Sequence, residues 1–230
     1  MATDSQTYRL APPRPSGGHP ALDQHAVQFY DRDDFLLEGV TRFVAAGISD
    51  GDCSIVIATR AHRADLETRL VRRGLDLNAA RRRGSYVALD AADTLAKFMA
   101  GTAPDKVKFE QVVGALVERS IQGPPLRRVR AFGEMVALLW ADGNPAGAIE
   151  VERLWNELAA RQPFSLLCGY PMRSFAGPEH DRGFAAVSAA HAHVAPTESY
   201  LELDPDERLR AVAELQQRVA ALQAEIATRD

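Results

Sequence analysis

The sequence has few cysteines and no long apolar run. Only Cys53 and Cys168 occur among 230 residues, and both lie in apolar, strand-like segments. A disulfide framework is therefore not expected, and a reducing cytoplasm is the predicted location. No run of about 18 apolar residues provides a candidate membrane span. The N-terminal residues 1–24 are polar, contain Pro and Gly, and lack the apolar core of a signal peptide, so we interpret them as a disordered arm.

A strong excess of charge is also missing. The formal net charge of -4 gives no electrostatic reason to expect direct nucleic-acid binding. Short arginine runs at 81–83 and 127–130 are interpreted as solvated or ion-paired faces, with an anion site as the alternative. With 46% hydrophobic and 25% charged residues, the composition is that of a globular domain large enough to bury a sizeable core.

Short apolar strands alternate with helix-type segments along the chain. The strand-like segments are "HAVQFY" (25–30), "CSIVIAT" (53–59), "SYVALD" (85–90), "RRVRAFG" (127–133) and "FSLLCGYP" (164–171). The second is nearly all apolar and β-branched, which predicts a central parallel strand that is buried on both faces. Five strand–helix alternations predict an α/β fold with a mostly parallel sheet and helices on both of its faces.

The C-terminal part of the sequence has a different pattern. Residues 196–207 are polar and irregular and are interpreted as a linker, and a helix is predicted over 208–230. Its apolar residues follow spacings of 3, 4, 3 and 4, which define a heptad seam: Val212, Leu215, Val219, Leu222 and Ile226. A helix docked on its own domain is one interpretation. A dimerising or signal-output helix, akin to a coiled coil, is favoured because the seam is narrow and the other faces are charged.

A ligand of an open parallel sheet binds beyond the carboxyl ends of the strands. Six residues at or near those ends are predicted to line a ligand pocket: Tyr30, Thr59, His62, Phe132, Glu134 and Tyr170. For Glu134, three roles stay open. It is a helix N-terminal carboxylate with a local partner such as Arg130, a ligand contact, or half of an acid–base pair with His62.

The motifs of nucleotide hydrolysis, metal binding and nucleophilic catalysis are missing. After "SIVIAT", the segment "RAHRAD" lacks the glycines, lysine and Ser/Thr of a phosphate-binding loop. His180, His191 and His193 lie close in sequence but without the i, i+4 spacing of ligands on one helix, so no metal site is predicted. Cys168 is expected to be buried and inert. We therefore predict no catalytic residues and no cofactor.

Two long segments resemble a known family. "HAVQFYDRDDFLLEGVTRFVAAGISDGDCSIVIATRAHRADLETRL" and "VRAFGEMVALLWADGNPAGAIEVERLWNELAARQPFSLLCGYPMRSF" are similar to the two halves of the MEDS domain, the methanogen/methylotroph DcmR-type sensory domain. The resemblance implies a RecA/KaiC-like fold without its phosphate loop and a sensory domain over residues 25–195. It also implies a small organic ligand and an output module such as a histidine kinase or a DNA-binding domain.

The leading hypothesis is a non-enzymatic, cytoplasmic sensor. It binds a small organic molecule, forms a homodimer and passes the signal through the helix over 208–230 to a two-component or transcriptional regulator. Two alternatives remain. One is a degenerate RecA-like nucleotide-binding protein with weak or no hydrolysis, and the other is an interaction scaffold without a ligand.

Overall fold

The computed structural model describes residues 25–122, 128–177 and 181–227, and its centre is a six-stranded sheet. In chain order the strands are β1 (His25–Tyr30), β2 (Cys53–Ala58), β3 (Tyr86–Asp90), β4 (Met99–Ala100), β5 (Ala103–Pro104), β6 (Val129–Gly133), β7 (Phe164–Pro171) and β8 (His193–Ala195). The sheet order is β3-β2-β6-β7-β1-β8, and every neighbouring pair in it is parallel. β4 and β5 form a separate antiparallel hairpin.

Helices cover both faces of this sheet. The α-helices are α1 (Asp33–Asp50), α2 (Arg60–Arg72), α3 (Leu77–Arg82), α4 (Ala91–Ala96), α5 (Lys106–Phe109), α6 (Ala115–Ile121), α7 (Met135–Ala141), α8 (Pro145–Ala159), α9 (Asp181–Ala190), α10 (Glu198–Leu201) and α11 (Pro205–Ala227), of which the first nine cover the sheet. One apolar layer joins α1, α2 and α3 to the sheet, and another joins α4 to α9 to the opposite face. The predicted α/β fold is therefore confirmed.

The buried strands follow from their sequences. All six residues of β2 are buried, as its continuous apolar run predicts for a central parallel strand. Trp155 is the largest fully buried side chain, and its ring packs near the rings of Phe109 and Phe164 with centroid distances of 5.5 and 5.7 Å. Each helix in the described part of the chain is too short or too polar to cross a bilayer.

Residues 196–207 are more ordered than the predicted linker. Just before them, β8 adds an unpredicted sixth strand by pairing with β1. The short helix α10 follows, and Thr197 and Glu198 are buried. The next helix, α11, begins at Pro205 rather than at Arg208. The N-terminal arm at 1–24, residues 228–230 and the Ile226 side chain lie outside what the structure describes.

Candidate functional site

Glu134 lies between β6 and α7, beside the start of α2. The parallel pairing of β2 with β6 brings it there, and its backbone N–H donates to Ile57 O at 3.0 Å. Its Oε2 accepts from the Thr59 N–H at 2.8 Å, and its Oε1 is hydrogen-bonded to His62 Nδ1. Both carboxylate oxygens of this buried residue thus have partners on the first turn of α2.

The Glu134 carboxylate occupies the place that an anion takes at a helix N-terminus. Thr59 caps α2 by accepting from the His62 N–H at 3.3 Å, and the positive end of the helix dipole faces Glu134. One role predicted for Glu134 was that of a helix N-terminal carboxylate with a local partner. Glu134 does have such partners, but they lie at the start of α2 and not in α7, the helix that follows Glu134 in the chain. Arg130 is not the partner, because it pairs with Asp50 and Asp52 instead.

His62 lies between two carboxylates. Its Nδ1 contacts Glu134, and its Nε2 is 3.5 Å from Asp33 Oδ2. The hydrogen bond to Glu134 raises the pKa of His62 above its usual value, against the effect of burial and with the help of the charges of Glu134 and Asp33. The arrangement therefore favours an imidazolium held by two acids. Asp33 was not among the six predicted pocket residues, so its place in this site was missed.

Tyr30 completes the polar group at this end of the sheet. Burial, followed by the charges of Glu134 and Asp33, raises the pKa of Tyr30 well above its usual range. The phenol therefore stays protonated and keeps its capacity to donate a hydrogen bond. Four of the six predicted pocket residues, Tyr30, Thr59, His62 and Glu134, are brought together here, and we call them with Asp33 the carboxyl-edge site.

The pH dependence of stability tests the His62–Glu134 contact. The folded-state pKa of His62 is raised above 6.5, so the contact contributes its full stability below that pH and loses it as the pH rises through the folded value. The difference in melting temperature between wild type and His62→Gln should therefore shrink from about pH 6.5 upwards. Differential scanning calorimetry over that range measures it, with exposed His193→Gln as control. A difference that does not vary with pH would contradict the raised pKa.

Two predicted pocket residues lie elsewhere. Phe132 is fully buried in the apolar layer under α1 and offers no surface to a ligand. Tyr170 faces the opposite side of the sheet, where its hydroxyl donates to Glu152 Oε1 at 2.9 Å. The prediction placed strand ends together without assigning faces, and successive residues of a strand point to opposite faces. The pocket assignment of Tyr170 is therefore corrected.

The carboxyl-edge site is closed in this structure. Tyr30 and Glu134 are buried, and His62 exposes 14% of its side chain. Two surface depressions lie elsewhere in the described chain, one over α8 and one between α4, the β4–β5 hairpin and α7. Neither is lined by a predicted pocket residue. A ligand at the carboxyl-edge site would therefore have to displace existing contacts rather than fill an open cavity.

Comparisons with known proteins match the predicted family. Residues 24–192 match the family model MEDS, described as the MEthanogen/methylotroph, DcmR Sensory domain. A KaiC-like protein from the hyperthermophilic archaeon Pyrococcus horikoshii OT3 aligns with a TM-score of 0.44 and 14% identity. That alignment covers 68% of this chain and 65% of the other, less than two thirds of its length. A search of curated proteins gives no match. Because the family model spans well over half of the sequence, the chain belongs to the MEDS family of sensory domains.

Proposed function

We propose that this protein is a non-catalytic sensor that binds a small organic molecule at the carboxyl-edge site. Binding would be relayed through α10 and α11 to a partner such as a histidine kinase or a transcriptional regulator. The observation that carries the proposal is a direct physical link between the site and the C-terminal segment. Glu198 of α10 accepts hydrogen bonds from the backbone N–H groups of Asp31 and Arg32, which lie between Tyr30 and Asp33.

The chemistry of the site suits a small ligand with a polar group. A phenol, an imidazole and two carboxylates converge at the edge of an apolar core layer, and such a mixture of few polar groups with apolar walls is typical of small-molecule sites. A ligand that accepts from His62, or donates to Glu134, would compete with the His62–Glu134 hydrogen bond. Its binding would release α2 from β6 and change the contacts of Asp33 at the start of α1.

Asp31 and Arg32 would carry this change to the C-terminal segment. Their amides are held by the buried Glu198 carboxylate at 3.1 and 2.7 Å, and the Arg32 side chain pairs with Glu202 at 2.9 Å. Arg208 of α11 donates in turn to the carbonyl of Leu201, at the end of α10. Movement of the chain after Tyr30 would therefore shift α10, and with it the start of α11.

The exposed seam of α11 supports an output role. Its residues Val212, Leu215, Val219 and Leu222 are 38–60% exposed, so this apolar stripe is not docked on its own domain. A stripe at heptad spacing packs against a second helix of the same kind. We propose that two copies pair through this seam and that the pair presents the signal to the output partner.

The arrangement also supports a non-catalytic role over the nucleotide-binding alternative. In a phosphate site, backbone amides at the start of a helix would face the ligand. Here the amide of Thr59 is bound by Glu134, and that of His62 is bound by the Thr59 hydroxyl. A negative side chain thus already occupies the position that a phosphate would need.

Native mass spectrometry beside denaturing mass spectrometry tests ligand binding. We expect wild type to retain a small organic molecule that is lost on denaturation, and Glu134→Gln to have lost it under native conditions. Glu118→Gln, a matched change at an exposed glutamate of α6, should retain it. If wild type retains no small molecule, the alternative of an interaction scaffold without a ligand would be favoured. Stabilisation by millimolar ATP and magnesium with phosphate release would favour the nucleotide-binding alternative.

Charges placed on the seam test the pairing of α11. Leu215→Glu with Leu222→Glu places two carboxylates at the centre of the proposed interface, and we expect a monomer in place of a dimer. Ala213→Glu with Ala220→Glu adds the same charge on the outward face and should leave the dimer intact. Light scattering coupled to size exclusion, over a range of protein concentration, gives the mass of each variant. Identical masses for both double variants would contradict pairing through the seam.

A further inference from the structure

A second group of polar side chains is buried on the face of the sheet opposite the carboxyl-edge site. It consists of His25 at the start of β1, Glu152 on α8, Cys168 on β7 and His191 just after α9, and all four are buried. One ligand-type atom from each lies within 4.8 Å of those of the others. We call this group the buried quartet.

The two histidine–glutamate distances in the quartet are longer than ordinary N–H···O hydrogen bonds. His25 Nε2 is 3.3 Å from Glu152 Oε2, and His191 Nε2 is 3.5 Å from Glu152 Oε1, whereas N–H···O bonds cluster at roughly 2.9–3.0 Å. His25 Nε2 lies 3.3 Å from Cys168 Sγ, which in turn lies 3.6 Å from Glu152 Oε2. A tetrahedral Zn²⁺ with ordinary bond lengths separates its N, O and S ligand atoms by roughly 3.3–3.6 Å. These four contacts lie in that range, with His191 facing Glu152 Oε1 and the other two residues facing Oε2, and all the ligand atoms lie within 4.8 Å of one another.

An independent observation at His191 also points to a cation. Its Nδ1 is hydrogen-bonded to Val187 O at 2.6 Å, so Nδ1 carries the proton and Nε2 carries a lone pair. That buried Nε2, which is aimed at Glu152, has no hydrogen-bond partner among the described residues. A buried acceptor without a donor is costly, and a cation between His191 and Glu152 would satisfy His191 Nε2. Glu152 Oε1 already accepts from the Tyr170 hydroxyl and has a second lone pair for the cation.

The ring of His25 is also oriented with the lone pair of its Nε2 facing the quartet. His25 Nδ1 is 2.9 Å from Asn156 Oδ1, while Asn156 Nδ2 donates to Ala190 O at 2.9 Å. The amide nitrogen is used by Ala190, so the oxygen of Asn156 accepts from His25, and the His25 Nε2 lone pair faces the quartet. Metal-binding histidines are held by such an outer hydrogen bond.

We propose that His25, Glu152, Cys168 and His191 form a four-coordinate Zn²⁺ site. Two imidazoles, one thiolate and one carboxylate are the ligand types that Zn²⁺ prefers at tetrahedral sites, and the two anionic ligands neutralise the ion in the core. Since the protein fills all four positions, the ion would be structural. It would fasten β1 and the end of α9 to α8 and β7. The site is separate from the proposed sensor function and does not depend on it.

This proposal departs from the expectation that the sequence contains no metal site. That expectation considered ligands spaced along one helix, whereas the quartet draws one ligand from each of four elements. The quartet is close to the surface. The depression over α8 is lined by Asn156, whose side chain is hydrogen-bonded to His25.

Cobalt(II) titration of metal-stripped wild type tests the site. We expect one Co²⁺ per chain, the visible bands of tetrahedral cobalt, and a near-ultraviolet charge-transfer band from the thiolate, with Zn²⁺ displacing the cobalt. Cys168→Ser should lose the charge-transfer band, whereas Cys53→Ser, a change at the other buried cysteine, should keep it. His191→Ala should weaken binding by more than about 100-fold, and exposed His193→Ala should not change it.

Three results would overturn the proposal. They are wild type that binds no Co²⁺, cobalt bound without tetrahedral bands, and a charge-transfer band that survives in Cys168→Ser. Circular dichroism reports whether each variant folds, and the wild-type titration decides the question if a variant does not. Because the readout is metal stoichiometry and spectrum, a failed zinc site and a failed sensor site remain distinguishable.

Discussion

Replacing Asp52 by asparagine is expected to destabilise the protein by about 3 kcal/mol, at the low end of the range for breaking a buried ion pair. Asp52 accepts from Arg130 Nε at 2.9 Å and from Arg128 Nε at 3.1 Å, and the side chains of Asp52 and Arg130 are only 5% and 7% exposed. Without the charge of Asp52, the buried guanidinium keeps Asp50 as its one negative partner among the described residues. Because the contact with Asp50 remains, we expect a loss of stability at the low end of the range for breaking a buried ion pair.

Asp50→Asn is the matched control. Asp50 contacts the same guanidinium at 2.6 Å, but its side chain is 51% exposed, so water screens this ion pair. When the charge of Asp50 is removed, water can solvate part of the guanidinium in its place. We expect a cost of about 0–1 kcal/mol. Urea unfolding followed by circular dichroism gives both values. Equal costs for the two substitutions would show that burial does not determine the strength of this ion-pair network.

The alternation of strands and helices was predictable because local patterns determine it. The apolar run of β2 predicts a strand buried on both faces, and the structure confirms it. The three residues of β8 carry no such pattern, since His193 and Val194 are exposed, and that strand exists only because β1 offers an edge for pairing. Long-range pairing of this kind cannot be read from the segment itself.

The candidate site could be predicted only in part. Strand ends of a parallel sheet meet at one edge, and this rule alone places Tyr30, Thr59 and Glu134 near one another. The contact of His62 with Glu134 requires β2 and β6 to be neighbours, which depends on strand order. Tyr170 was misplaced because a mostly apolar strand that is buried on both faces has no alternation to show which residues face which layer.

The buried quartet could not be predicted from the spacing of residues along the sequence. His25 and Cys168 are 143 residues apart and meet because β1 and β7 pair in parallel, with His25 opposite Leu166. Glu152 is fully buried. Its spacing from Ala148 and Trp155 places it on the apolar face of α8, and a carboxylate at such a position is a signal in the sequence that could have pointed to a polar cluster on that face.

Substitutions of Glu134 are expected to separate its charge from its hydrogen bonds. Glu134→Ala removes both the contact to His62 and the acceptor for the Thr59 N–H. At about 1.5–3 kcal/mol for each hydrogen bond to a charged group, we expect a loss of about 3–6 kcal/mol. Glu134→Gln keeps an acceptor for Thr59 and loses the charge beside His62, so about half of that loss is expected. Asp34→Ala, at an ion-paired carboxylate that is 84% exposed, should cost less than about 1 kcal/mol.

The two Glu134 variants also discriminate between the roles of this carboxylate. The hydrogen bond from Glu134 is the main cause of the raised pKa of His62, so the pH-dependent difference between His62→Gln and wild type should disappear in a Glu134→Gln background. Chemical denaturation of the single and double variants at two pH values measures this coupling. Additive costs would mean that His62 and Glu134 act independently. Coupling would mean that the two side chains act as one unit, as the proposed sensor site requires of a contact that a ligand breaks.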